Sequence, residues 1–239
     1  MAIFTMSDLH LSLGVDKPME VFGSAWDNYM ERIRLNWNEV VGEGDVVFIG
    51  GDISWAMRLS ECYKDFEYLN ALNGAKVLLK GNHDYWWESV SKMNKYLDEN
   101  GFHTMSFLQN NAFLADDVLV CGSRGWLLPG DGSFSEDDNK IYQRELQRLE
   151  LSFSDGERLL KESGREVRKR VCLLHYPPFT RRGEADEGLA SVMEKYAVTD
   201  CIYGHLHARA ARCAREGTLS TVTFKLVSAD YMDFCPYRL

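Results

Sequence analysis

The chain has 239 residues, of which 45% are hydrophobic and 26% are charged, and its formal net charge at pH 7 is -9. This composition is that of a globular protein with a large core, and we expect a single domain over residues 1–239. The acidic balance argues against a protein whose main function is to hold long nucleic acid, because phosphate backbones select basic surfaces.

The N-terminal segment and the apolar runs predict a cytoplasmic protein. The first fifteen residues lack the basic start of a secretory signal, and no uncharged apolar run approaches the roughly 20 residues of a membrane helix. The six cysteines are scattered along the chain and form no CxxC pair. We therefore expect reduced cysteines in the core, and neither disulfides nor a zinc knuckle.

Short apolar runs alternate with segments of helical periodicity, and this alternation is typical of an α/β fold. Seven of the runs are predicted strands. They are IFTM (3–6), VVFI (46–49), KVLL (76–79), VLVC (118–121), VCLL (171–174), DCIY (200–203) and TVTFKLV (221–227).

Four segments between these runs are predicted helices. They span residues 24–41 with Ser24 as the N-cap, 60 to about 73, the segment after Tyr85 up to Gly101, and 137 to about 164. We expect an interruption of the fourth helix at Asp155 and Gly156. Residues 129–138 are rich in turn-forming residues, and they are a candidate mobile surface loop.

Five of the predicted strands are followed directly by polar side chains with metal-binding or proton-transfer chemistry. In order along the chain these are Asp8 and His10, Asp52, Asn82, His83 and Asp84, His175, and His205 and His207. Strand ends converge on one edge of an α/β sheet, so these groups are expected to meet there. One such residue alone is usually structural, but a fold gains no stability by gathering unpaired charges. A bound cation reverses that cost.

The types of donor limit the choice of metal. Imidazole and carboxylate groups without a thiolate suit Mn, Fe or Zn better than calcium, which prefers a shell of oxygen atoms. The donors number about seven, which is more than one ion of four- to six-fold coordination accepts. Two divalent ions that share a carboxylate fit this set better.

The motifs resemble the signature of the calcineurin-like metallophosphoesterases. DLH at 8–10, GD at 51–52, GNHD at 81–84, His175 in LLHYPP and GHLH at 204–207 follow in the order of that family. The resemblance implies a four-layer α-β-β-α sandwich with two central mixed β-sheets. It also implies a binuclear-metal-dependent phosphoesterase that hydrolyses a phosphomonoester or a phosphodiester.

The resemblance also implies a role for each site residue. Asp8, His10 and His207 would hold the first metal ion, Asn82, His175 and His205 the second, and Asp52 would bridge them. His83 has no metal in this scheme. It is the expected general acid, which protonates the leaving group while a metal-bridging hydroxide attacks phosphorus, and Asp84 is its expected orienting partner.

Two further residues have two interpretations each, and a third departs from the pattern of the family. Arg124 could grip a phosphate with its planar guanidinium or form a surface salt bridge. Trp86 could wall a substrate pocket or pack in the core. Trp55 occupies a position at which some relatives carry an acid, so it could change the wall of the pocket.

Two other functions remain open. One is a non-catalytic metal-binding scaffold on the same fold, which keeps all of the metal-binding residues. The other is a different metal hydrolase, for instance one that attacks amides, which would build an unrelated site around His205 and His207. For the phosphoesterase, the acidic balance favours a small phosphorylated substrate over long nucleic acid, and no membrane partner is expected.

Overall fold

A computed structural model describes all 239 residues, and these form two units, each with its own β-sheet. Unit 1 comprises Met1–Phe107 and Val227–Leu239, and unit 2 comprises Leu108–Leu226. The single domain over residues 1–239 stays a prediction. No helix combines the length and the apolar character that a membrane crossing requires.

Eleven strands and six α-helices make up the two units. The strands are β1 (Ile3–Met6), β2 (Val46–Ile49), β3 (Ala75–Leu79), β4 (Met105–Leu108), β5 (Ala112–Ala115), β6 (Val118–Ser123), β7 (Lys169–Leu174), β8 (Asp200–Tyr203), β9 (Gly217–Leu219), β10 (Val222–Leu226) and β11 (Tyr237–Arg238). The helices are α1 (Tyr29–Val40), α2 (Tyr63–Ala71), α3 (Val90–Asn100), α4 (Glu136–Ser163), α5 (Glu187–Lys195) and α6 (Ala208–Ala211).

Both sheets are mixed. The sheet of unit 1 has the order β11-β1-β2-β3-β4, in which β1, β2 and β3 are parallel and β11 is antiparallel to β1. The sheet of unit 2 has the order β5-β6-β7-β8-β10-β9, with four parallel central strands and an antiparallel strand at each edge. The predicted α/β class with two mixed sheets is confirmed.

All seven predicted strands are present. In unit 1, the largest difference from the predicted helices is the start of the first one. It was expected to begin at Ser24, but α1 begins at Tyr29. Asn28 has a left-handed φ of 52°, which ends the helical path, and Ser24–Trp26 form a separate 3-10 turn before it. The second predicted helix likewise divides into the 3-10 turn Leu59–Cys62 and α2.

The predicted interruption of the fourth helix is wrong, because α4 continues through Gly156. A β-carbon on Gly156 would lie 3.0 Å from the Sγ of Cys121 in β6. The glycine therefore lets the helix approach the sheet closely and does not end it. The end of the candidate loop, residues 136–138, forms the first turn of α4 after the N-cap Ser135.

Candidate metal centre and active site

The loops that follow β1, β2 and β3 carry the first group of predicted site residues. These strands are parallel neighbours, so their carboxyl ends lie at the same edge of the unit 1 sheet. Backbone hydrogen bonds join the first two loops: the amide of Asp8 donates to Gly51 O at 2.8 Å, and that of His10 to Asp52 O at 2.9 Å. The edge thus gathers Asp8, His10, Asp52 and the segment 82–84.

Three of these residues have a backbone conformation that side chains rarely adopt. The φ angles are 62° at Asp8, 47° at His10 and 51° at Asp52. Residues other than glycine pay a conformational cost in this left-handed region, and such residues cluster at functional sites. The fold therefore accepts strain at this edge to aim these side chains.

Asp52 is the centre of the group in unit 1. Its Oδ1 accepts a 2.7 Å hydrogen bond from the backbone amide of His83, and its Oδ2 lies 3.8 Å from Nε2 of His10. A carboxylate oxygen of Asp8 and a ring nitrogen of His10 lie within 4.8 Å of one another. One ion could bind both of these donors.

Asp84 holds two of the loops together. Its Oδ2 accepts from the amide of Gly81 at 2.7 Å, and its Oδ1 accepts from the amide of Ile53 at 2.9 Å and from the indole of Trp86 at 3.1 Å. Burial, and secondarily the charge of Asp52, raise the pKa of Asp84 to about 6. These bonds to the loops support a positioning role for Asp84.

The ring of His83 packs against Trp55, whose significance the sequence left open. The centroids of these two rings lie 4.5 Å apart, and Trp55 also stacks on His10 at 4.9 Å with an interplanar angle of 23°. The ammonium of Lys17 lies 3.8 Å from the Trp55 ring centroid. Trp55 therefore contacts two imidazoles of the site and a lysine.

Trp86, in contrast, is a core residue. Only 1% of it is exposed, its ring packs edge-on against Phe66 at 5.1 Å, and its indole bonds to Asp84. This placement favours the packing role over direct contact with a substrate. Its predicted part in substrate binding stays a prediction.

Sequence reasoning missed three residues whose side chains support the site in unit 1, namely Asp65, Ser54 and Ser228. Asp65 in α2 accepts hydrogen bonds from the hydroxyl of Ser54 and from the amide of Leu13, so it ties together the loops after β1 and β2. The hydroxyl of Ser228 donates to Oδ2 of Asp8 at 2.9 Å. The two residues of each bond are separated along the chain, and no local sequence motif indicates that they interact.

The electrostatics of this edge fit a bound cation. Asp8, Asp52 and Asp84 are 0%, 2% and 0% exposed, so three carboxyl groups of the same charge type are buried together. Burial of like charges is unfavourable unless a counter-charge is present. Together with His10, these carboxyl groups provide the nitrogen and oxygen donor types that divalent transition metals accept.

Unit 2 carries the remaining histidines at the carboxyl ends of its own parallel strands. His175 follows β7 and is fully buried, and His205 follows β8 with a left-handed φ of 70°. Their ring centroids lie 5.1 Å apart, and ring nitrogens of the two lie within 4.8 Å. His207 is the N-cap residue of α6. His175 and His205 therefore form a second pair of metal donors within one unit.

Arg124 follows β6 in unit 2 and forms a buried ion pair. Its Nη2 lies 3.5 Å from Oε1 of Glu145, which also binds Arg148 at 2.7 Å, and its guanidinium lies 4.4 Å from the Trp126 ring centroid. Burial lowers the pKa of Arg124. The side chain is 14% exposed, so the salt bridge is present, but it is not at the surface. Phosphate binding by Arg124 stays a prediction.

The family model described as calcineurin-like phosphoesterase matches residues 1–209 of this chain. The matched range contains all five motifs that carry the resemblance in the sequence. The chain belongs to the calcineurin-like phosphoesterase family.

One relative matches part of the chain. The chain is 32% identical over 95 residues to the uncharacterised protein MJ1445 of Methanocaldococcus jannaschii, a match that covers 40% of this chain and 48% of that protein. The match thus spans about half the length of this relative.

Two solved structures show the same fold. One is a phosphopantetheinyl hydrolase of Mycobacterium tuberculosis, with a TM-score of 0.54, 12% identity and coverage of 100% of this chain and 95% of that one. The other is a protein of unknown function from Aquifex aeolicus, with a TM-score of 0.50, 14% identity and coverage of 99% and 95%. At these identities the likeness concerns the α/β sandwich fold alone.

Proposed function

We propose that this protein hydrolyses phosphomonoesters or phosphodiesters with the help of two divalent transition-metal ions. The observation that carries the proposal is the gathering of Asp8, His10, Asp52 and His83 at one edge of the unit 1 sheet. Membership of the calcineurin-like phosphoesterase family supports it.

The metal ligands proposed are those implied by the family motifs. Asp8, His10 and His207 would hold one ion, Asn82, His175 and His205 the other, and Asp52 would contribute to both. The mixed imidazole, carboxylate and amide donors suit Mn, Fe or Zn. When bound, such a pair polarises a phosphoryl oxygen and supplies a nucleophilic water at neutral pH.

His83 acts as the general acid. As the bond between phosphorus and the leaving oxygen breaks, the protonated imidazole gives its proton to that oxygen, so that a neutral alcohol departs. The bond from the His83 amide to Asp52 and the packing of its ring on Trp55 fix the position of the imidazole. Asp84 holds the loop that carries His83, and it is a positioning residue.

The test is hydrolysis of 4-nitrophenyl phosphate and bis(4-nitrophenyl) phosphate by the purified protein with added Mn²⁺. At least one ester is turned over, EDTA abolishes the activity, and renewed Mn²⁺ restores it. Asp52→Ala loses both bound metal, measured by elemental analysis, and turnover. Asp98→Ala is the matched control, because Asp98 is exposed on α3.

Two results would contradict this proposal, and each favours an alternative. Metal bound in the wild type without turnover of any ester would favour the non-catalytic scaffold. One ion per chain together with turnover of amides would favour a different metal hydrolase.

A further inference from the structure

A cavity of about 410 Å³ lies in unit 2 beside His205. Its volume is within the range of pockets that bind small organic molecules. The wall is mostly apolar, and four of its residues are aromatic. These are Trp126, Tyr176, Phe179 and Tyr203.

The aromatic wall is continuous with the imidazole of His205. The ring of Tyr176 lies 4.3 Å from the His205 ring at an angle of 33°, and the ring of Trp126 lies 5.3 Å from that of Tyr176. Phe179 and Tyr203 form a second pair of rings at 6.5 Å. A molecule in the cavity would therefore be surrounded by aromatic rings and would contact the imidazole of His205.

The charged groups of the wall favour an anionic occupant over a cationic one. They are Arg181, Arg215 and Asp131, which together give one net positive charge with His205 neutral. The backbone amide of Arg181 donates to Oδ1 of Asp131 at 3.0 Å, which engages part of the negative charge. A phosphoester of an apolar alcohol carries the matching charge and the matching apolar part.

We propose that this cavity binds the aromatic part of the substrate, so that the preferred substrates are phosphoesters of ring-bearing alcohols. The proposal depends on the proposed function, because His205, which lines the cavity, would be a ligand of the metal ions that act on the phosphoryl group. The organic part of the ester then extends along Tyr176 and Trp126. Aromatic faces favour a flat ring there over a chain of the same size.

The first arm of the test compares phenyl phosphate with 2-naphthyl phosphate, whose leaving groups have similar acidity and differ in ring area. The wild type prefers the naphthyl ester in kcat/KM by roughly tenfold, because the second ring is buried in the cavity. Ala214→Phe fills part of the cavity and brings the ratio close to one. Ala190→Phe, on the exposed face of α5, is the matched control and keeps the wild-type ratio.

The second arm needs no activity. Binding of 2-naphthol to the EDTA-treated protein is measured by calorimetry. The wild type and Ala190→Phe bind it equally, and Ala214→Phe binds at least fivefold more weakly. Ala210→Phe, at an exposed position of the cavity wall, is a second variant with the same expectation if Ala214→Phe does not fold.

The two arms separate the two proposals. If both esters are hydrolysed and the cavity variants change neither the naphthyl preference nor the affinity for 2-naphthol, the cavity inference is overturned and the hydrolase stands. If no ester is hydrolysed but the variants weaken 2-naphthol binding, the proposed function fails and the aromatic site itself is supported.

Discussion

Gly81 lies against Asp52 so closely that a β-carbon on Gly81 would fall 2.2 Å from both the backbone nitrogen and Oδ1 of Asp52. Real β-carbons do not approach other atoms to this distance, so any side chain at position 81 would displace the carboxylate. The glycine of GNHD is therefore required by the position of the aspartate in the loop after β2.

Gly81→Ala will reduce Mn²⁺ binding and turnover together, because the added methyl group moves Asp52. The same overpacking will lower the free energy of unfolding by about 1–3 kcal/mol. Gly132→Ala is the control, since a β-carbon there meets nothing within 4 Å. Elemental analysis, ester hydrolysis and urea denaturation measure the three effects. Wild-type metal content in Gly81→Ala would show that Asp52 tolerates the shift or binds no metal.

Trp55→Ala will lower kcat roughly tenfold, because the imidazole of His83 loses the ring that holds it. Trp55→Phe keeps an aromatic face and restores most of the rate. Trp87→Ala is the control, because Trp87 packs on Trp86 and Phe107 at 5.2 Å and its loss affects stability instead. Equal kcat values for the Ala and Phe variants would contradict a positioning role for the ring.

The sequence predicted the central strands well because each is a short run dominated by apolar side chains, and five of them end at a polar motif. It missed β4, β5, β9 and β11, of which β9 is exposed throughout and β11 has only two residues. Such strands are defined by their hydrogen-bonded neighbour in the sheet, and not by their own composition. The same holds for Gly156, where contact with β6 overrides a local signal for a helix end.

In the site, sequence motifs named the donors but not the bonds that hold them. The motif GNHD named Asp84 as the orienting partner of His83, but it did not show that the carboxylate of Asp84 binds backbone amides of two loops. Trp55 contacts the ring of His10, and Asp65 bonds to the loops after β1 and β2. Both arrangements depend on contacts between separate segments of the chain. A single sequence carries no signal for such contacts.

Lys76 gives a pH dependence of stability that is independent of the proposed site. Its side chain is fully buried in β3, and its ammonium donates to the carbonyl oxygens of Leu72 and Gly74 and to the hydroxyl of Thr104. Burial lowers the pKa of Lys76 from 10.5 to about 8. Between these two values the unfolded chain holds a proton that the folded chain has lost, so the free energy of unfolding rises with pH in this window.

The titration of Lys76 raises the free energy of unfolding by about 3 kcal/mol between pH 8 and pH 10.5. Urea denaturation gives the free energy of unfolding of the wild type and of Lys76→Met at each pH in this range. The difference between the two values measures the contribution of Lys76. That difference will grow in favour of the wild type as the pH rises. Lys64→Met, at an exposed position of α2, is the control for the loss of a lysine outside the core. A constant difference for Lys76→Met would mean that the buried ammonium keeps its ordinary pKa.

His83→Asn will test the role of His83 as proton donor independently of metal binding. We expect wild-type metal content in this variant, because His83 is not among the proposed ligands. The value of kcat will fall about 100-fold for ethyl phosphate, whose alkoxide is a poor leaving group, and much less for 4-nitrophenyl phosphate, whose leaving group needs no proton. The ratio of the two losses is the measured quantity.

His103→Asn is the matched control for this variant. His103 is exposed and lies outside the loops at the sheet edge, so its replacement will change neither kcat value. If His83→Asn hydrolyses ethyl phosphate as fast as the wild type, the departing oxygen receives its proton from another source. Loss of metal in His83→Asn would instead make His83 a ligand, because the bond that joins its backbone to Asp52 survives the substitution.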